Sequence, residues 1–293
     1  MSSGFGSLHP AVCFLYYVAA ILLAMLLLHP LFLATLILFV LLLNLLHGRA
    51  QRARLLRTLP YYLLICGSVA VLNPLFSHRG WYILFYFMDQ PVTLEAILYG
   101  VIMMLSLLAI LLLFLSFQFI LPADKFMYLF SAAAPKTSLL TLMTLRLVPL
   151  FLRRLRQITI VQGTRRIDVR HGGLRKRLQD GMVLLRVLLM WSLEEALQTA
   201  DSMKARGYGT ARRSSYTVYR MDRRDWIVLL LLGLTALGCC AGWRYGHGVL
   251  QIYPRLAPMT FNFGDSLCYG LFSFFLMIPI IVEGQERMIW RKS

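Results

Sequence analysis

Two arginines in the middle of the chain have the type and setting to do mechanical work at an interface. Arg206 lies in Lys204-Ala205-Arg206-Gly207-Tyr208-Gly209 and follows the helix-like stretch 194–203. Arg165 precedes it by 41 residues, in Gln162-Gly163-Thr164-Arg165-Arg166-Ile167-Asp168, again at the end of a helix-like stretch. A guanidinium fork can bond carboxylates and backbone carbonyls from inside a shallow groove, so two such tips suit two similar, acidic partner surfaces. Taken alone, the later motif reads equally well as a simple helix end. Gly207 falls where a left-handed cap is expected, and Arg206 complements the negative end of the helix dipole. The recurrence favours docking and makes Thr164, Arg165, Arg166, Ala205, Arg206 and Gly207 the candidate contact residues.

Other chemistries lack their residues. The sequence has no G-x-x-x-x-G-K-[ST] run to cradle nucleotide phosphates. His9, His29, His47, His78, His171 and His247 form no i,i+4 pair and no H-E-x-x-H, so no metal site is expected. Cys13, Cys66, Cys239, Cys240 and Cys268 lie in or beside apolar runs without C-x-x-C spacing and read as small buried hydrophobes. Neither a bound cofactor nor catalysis is expected of this chain.

The elements that must carry the two tips are those of a membrane protein. Of 293 residues, 59% are hydrophobic and 15% charged, against about 45–50% and about 25% in soluble domains. Six uncharged runs, 11–28, 31–46, 60–76, 94–121, 226–243 and 265–282, cross or nearly cross a hydrocarbon core that needs about 17–25 helical residues. His29-Pro30 divides the first two into a hairpin. The N-terminus carries no basic region or cleavage site of a signal peptide. In this six-span arrangement 27 of the 30 lysines and arginines fall on one side, leaving Arg79, Arg244 and Arg255 on the other. The positive-inside rule then puts both termini and the long basic segment 122–224 in the cytoplasm. That distribution also turns the net charge of +17 away from a nucleic-acid partner.

The expected organisation is an all-α polytopic chain: four spans in 1–121, a helical segment 122–224, and two spans in 225–293. Within the middle segment, 139–152 is leucine-rich but interrupted by Arg146 and Pro149, and 182–193 is interrupted by Arg186. Arginine at mid-bilayer is costly, so these stretches fit long helices lying against the membrane surface or the bundle. Gly238, Gly242 and Gly246 recur every fourth residue, a spacing that lets membrane helices approach closely. Packing within the chain is favoured over a sliding contact with a partner. Asn44, Asn73 and Gln118 read as inter-helix hydrogen bonds.

The run Ala196-Leu197-Gln198-Thr199-Ala200-Asp201-Ser202-Met203-Lys204-Ala205-Arg206-Gly207-Tyr208-Gly209, followed by Arg212-Arg213-Ser214-Ser215-Tyr216, closely resembles the second coupling-helix signature of the transmembrane T component of energy-coupling factor transporters. Residues 162–168 resemble the first signature, with Thr164-Arg165-Arg166 where the family favours Ala-Arg-Gly. Leu8-His9-Pro10, Asn73-Pro74-Leu75-Phe76 and Gly80 are similar to further family features, so the resemblance runs from near residue 8 to the C-terminus. It implies a scaffold joining two cytosolic ABC-type ATPases, which bind the ATP, to a small substrate-capturing membrane protein for a vitamin or transition metal ion. Arg165 and Arg206 would seat in the ATPases. The surface around Leu142, Leu145, Leu185 and Leu189 would hold the substrate-capturing subunit. Two rivals remain at this level: a permease acting alone, and a membrane-anchored basic module for anionic lipid or nucleic acid.

Overall fold

Proline at the first helical position opens two short helices. In the computed structural model, which describes residues 4–46, 48–77, 80, 82–87, 90–131, 133–164, 173–210, 219–250 and 262–292, α1 spans Pro10–Leu26 and α2 spans Pro30–Leu46. His9 caps α1 through its Nδ1, which accepts from the Ala11 N–H at 3.2 Å. Proline suits this first turn because its fixed φ is helical and its missing N–H would have had no partner.

The third helix, α3, spans Arg49–Phe76 and so begins well before Pro60, where the sequence marks its span. Pro60 and Pro74 both lie inside it. The basic turns ahead of Pro60 are helical, and their side chains find helix ends and polar partners. Arg52 Nε donates to the Leu45 carbonyl at 2.7 Å, Arg54 Nη2 to Gln118 Oε1 at 3.1 Å, and Gln51 Nε2 to Asn44 Oδ1 at 3.0 Å. Guanidinium groups on terminal carbonyls complement the helix dipole. Asn44 and Gln118 are thus satisfied, as expected. Asn73 is not: its buried Nδ2 has no hydrogen-bond partner among the described residues.

An antiparallel ribbon, β1 (Ile83–Phe87) with β2 (Gln90–Thr93), joins α3 to α4. No part of the sequence reading marked it. Helix α4, Leu94–Ile120, is capped by Thr93 Oγ1 accepting from the Ala96 N–H at 3.3 Å. After the short α5 (Ala123–Ser131), two long helices follow, α6 (Pro135–Gly163) and α7 (Leu174–Ala205). Helix α8, Arg223–Arg244, begins with a capping box formed by Asp222 and Asp225. Helix α9, Phe263–Lys292, continues past the expected span end at 282.

The chain divides into two compact units, one formed by Met1–Leu129 with Tyr219–Ser293 and the other by Phe130–Val218. In the first, α4 packs on α1, α2 and α3, while α9 packs on α2 and α8. Its core is aromatic. Tyr16 stacks on Phe275 at 5.1 Å, Phe32 meets Tyr269 at 5.2 Å, and the buried Tyr17 hydroxyl pairs with Ser116 Oγ at 2.7 Å. Its buried carboxylates serve helix and chain ends. Glu283 accepts from the Phe5 N–H at 3.0 Å, and Glu95 from the Tyr82 N–H at 3.2 Å.

Four helices, over Gln51–Phe76, Leu94–Ile120, Arg223–Arg244 and Phe263–Gln285, are long and apolar enough to cross a bilayer. The 17 residues of α1 and of α2 reach the lower end of that range. The protein is an all-α polytopic membrane protein. In the second unit, α6 and α7 lie against each other, 29 and 32 residues long.

Candidate functional site

The end of α7 is built mainly by backbone bonding. Helical residues stop at Ala205, and Arg206 caps the helix at φ −84°, ψ 9°. Gly207 then turns left-handed at φ +77°. The Gly207 N–H bonds the Lys204 carbonyl at 2.9 Å and the Tyr208 N–H bonds the Met203 carbonyl at 3.0 Å. This pair of bonds is a Schellman motif, which depends on a residue tolerating positive φ. Thr210 Oγ1 closes the turn on the Gly207 carbonyl at 2.7 Å. Ala205 and Arg206 are exposed. Among the described residues the Arg206 guanidinium makes no hydrogen bond or ion pair, so its donors face outward unspent.

The end of α6 is made differently. Gly163 is its last helical residue, and Thr164 caps it in the right-handed region, with Oγ1 donating to the Val161 carbonyl at 2.6 Å. Among the described residues no left-handed glycine follows this helix, and the sequence has Arg166 where a glycine would correspond to Gly207. Arg165 and Arg166 lie outside the described residues.

Leu142, Leu145, Leu185 and Leu189 are exposed on α6 and α7, between 37% and 54% of their surface open. With Leu140, Leu152, Met190 and Leu193 they leave broad apolar surface on two helices that also carry arginines. Where the two helices meet, Trp191 packs edge-on to Phe151, ring centroids 5.6 Å apart, and under the Arg154 guanidinium at 5.1 Å. Sequence reasoning missed this contact. The only linear signals were a lone Trp and a Phe-Leu-Arg-Arg run, on separate helices.

The glycine series divides between packing and turn. A Cβ on Gly238 would meet Leu271 Cδ1 at 3.0 Å, and one on Gly242 would meet Cys268 Sγ at 2.9 Å, so α8 and α9 approach closely there. Gly246 lies past the end of α8 at φ +85° with nothing within 4 Å of an added Cβ. Its role is the turn rather than packing. That turn is held by Asp265, whose Oδ1 pairs with His247 Nδ1 at 3.0 Å and accepts from the Gly248 N–H at 3.3 Å.

Fold and helix ends together define an all-α polytopic membrane protein with a distinct unit of two long helices, each carrying basic and apolar surface. The chain belongs to the cobalt transport protein family, CbiQ, whose model matches residues 7–217, and is thereby a transmembrane component of a transporter. Over 111 residues it is 33% identical to the energy-coupling factor transporter transmembrane protein EcfT of Lactobacillus helveticus (strain DPC 4571). That match covers 36% of this chain and 40% of the relative's length.

Proposed function

We propose that this chain is the energy-coupling T component of an ECF-type ABC importer. It would join two cytosolic ATPases, which bind the ATP, to a small substrate-capturing membrane subunit for a vitamin or a transition metal ion. The observation that carries the reading is the end of α7, where Gly207 stops the helix and leaves Arg206 exposed and, among the described residues, unpaired. A charged group with no partner among the described residues is available to an acidic or carbonyl-lined groove on another chain. Arg165 would be the matching contact at the end of α6, flanked by Thr164 and Arg166, as Ala205 and Gly207 flank Arg206. The exposed leucines at 142, 145, 185 and 189 would receive the substrate-capturing subunit. The chain itself would be non-catalytic. Its 27-to-3 division of basic residues supports a topology with both termini and segment 122–224 in the cytoplasm, and the family resemblance supports a bacterial plasma membrane as its location.

Affinity purification of the tagged chain from its native membrane, in mild detergent, tests the assembly. Recovery of ABC ATPases and a small hydrophobic protein is expected, and Arg206→Glu should remove the ATPases while leaving the chain monodisperse. Unchanged ATPase recovery with that variant would overturn the role of Arg206. A chain that purified alone and transported by itself on reconstitution would overturn the coupling reading.

A further inference from the structure

The contact between α6 and α7 is also a charged site that the coupling role does not use. Arg154 lies over the face of Trp191, with Cζ 5.1 Å from the ring centroid, and its Nη1 donates to Gln157 Oε1 at 3.2 Å. Stack and hydrogen bond together hold the guanidinium in one orientation and leave its other donors open. Beside it, Ile158, Val161, Gln162 and Val187 line an open groove of about 290 Å³. One end of the groove is therefore cationic and its walls are largely apolar.

Along α6 the charge is of one sign, while α7 carries Glu194 and Glu195 one turn beyond Trp191. Helix α6 carries Lys136, Arg146, Arg153, Arg154 and Arg156 and no acidic residue. Arg153, Arg154 and Arg156 are exposed, and none is paired with a carboxylate among the described residues. This cluster follows directly on the leucine-rich stretch 139–152, much of it exposed. A helix that passes from apolar to basic within one turn, with a tryptophan against the transition, has the pattern of a segment at the headgroup level of a bilayer.

We propose that this groove binds the headgroup of an anionic phospholipid, with Arg154 as its phosphate contact. Trp191 and Gln157 preset the guanidinium, Arg153 and Arg156 add attraction, and the Ile158, Val161 and Val187 wall accepts the glycerol and upper acyl region. An acidic protein surface would match the cationic residues but not this apolar wall. The site makes the contact between the two helices sensitive to lipid composition, independently of any ATPase.

The full-length chain in mild detergent is incubated with equal amounts of phosphatidylglycerol and phosphatidylcholine of the same acyl chains, and retained lipid is counted by native mass spectrometry. Preferential retention of phosphatidylglycerol is expected. Arg154→Gln should lower that retention about fivefold, the equivalent of about 1 kcal/mol for one basic residue at a lipid surface. Arg146→Gln, elsewhere on the same helix, should leave it unchanged. Arg154→Lys keeps the charge without the planar stack and should fall between wild type and Arg154→Gln. Equal retention of both lipids, an Arg154→Gln chain as lipid-loaded as wild type, or equal losses at positions 146 and 154 would each overturn the site. Stripping of phosphatidylglycerol by inorganic phosphate at matched concentration would assign the groove to a free phosphate. Intact lipid retention in Arg154→Gln with loss of a co-purifying protein would assign it to that protein. Both of these results also overturn the proposal.

Discussion

Tyr128 and Tyr219 meet edge to face, ring centroids 4.7 Å apart, with the Tyr128 hydroxyl donating to the Tyr219 carbonyl at 3.3 Å. Tyr128 lies just before the chain leaves the first unit, and Tyr219 is where it returns. The two connections to the second unit therefore start from one stitched point. His9 packs edge-on against both rings, at 6.1 and 6.4 Å, while capping α1. Nearby, Lys125 Nζ donates to the Gly6 carbonyl at 2.6 Å. The Leu8-His9-Pro10 run thus anchors the N-terminal helix beside both ends of the connection, α5 and Tyr219.

Loosening that stitch should cost stability. Tyr128→Leu removes the ring pair and the hydroxyl, an expected loss of about 1–3 kcal/mol, while Tyr128→Phe removes only the hydrogen bond and about 1 kcal/mol. Thermal unfolding of the purified chain in detergent reads both. Equal melting temperatures for wild type and Tyr128→Leu would show that the pair does not hold the crossing point.

Much of this architecture was legible because a bilayer demands long uncharged runs and charge counts them off. What escaped depended on side chains meeting across the fold. Proline at 60 looked like a boundary, yet Arg52 and Arg54 stabilise the turns before it by reaching the ends of α2 and α4. The ribbon at 83–93 is two short strands inside a connection, with no helical period to betray it. At the candidate site, Gly207 announced its left-handed turn by type and position, as glycine does at a helix end. Trp191 over Arg154 could not be read, since 37 residues and a helix reversal separate the partners.

The close approach of α8 and α9 predicts an order of sensitivity. Gly242→Ala forces a methyl against Cys268 Sγ, 2.9 Å away, and should destabilise by about 1–3 kcal/mol through overpacking. Gly238→Ala meets only the flexible end of Leu271 and should cost less. Adding Cys268→Ala should restore most of the loss in Gly242→Ala, a coupling that a double-mutant cycle of melting temperatures measures directly. Additive losses would mean that the clash is relieved by backbone shift instead.

The α7 terminus makes a second glycine prediction of a different kind. Gly207→Ala puts a Cβ at φ +77°, at a cost of about 1–2 kcal/mol. The strain falls on the Schellman bonds and frays the last turn under Arg206. Gly207→Asn, which tolerates the left-handed region better, should be milder. If Arg206 docks as proposed, ATPase recovery should fall in the order wild type, Gly207→Asn, Gly207→Ala, with the membrane helices unaffected by circular dichroism. Full recovery with Gly207→Ala would mean that the orientation of Arg206 is not set by this cap.

His29 supplies a pH dependence whose sign is fixed by its surroundings. It lies between α1 and α2, 8% exposed, and burial lowers its pKa below the ordinary 6.5, with Asp265 opposing the shift in part. Its Nδ1 accepts from the Leu31 N–H at 3.3 Å, so protonation there would also break a cap of α2. Burial therefore disfavours the charged form of His29 in the folded chain. As pH falls below about 6.5 the unfolded chain takes up the proton first, and stability declines until the pH passes the lowered folded value. His29→Gln keeps an acceptor without a titrating group. Melting temperature followed from pH 7.5 down to 5 should drop more steeply in wild type than in that variant, the other acids and bases being common to both. Parallel curves would mean that His29 is as readily protonated in the folded chain as in the unfolded one, and that the turn tolerates the charge.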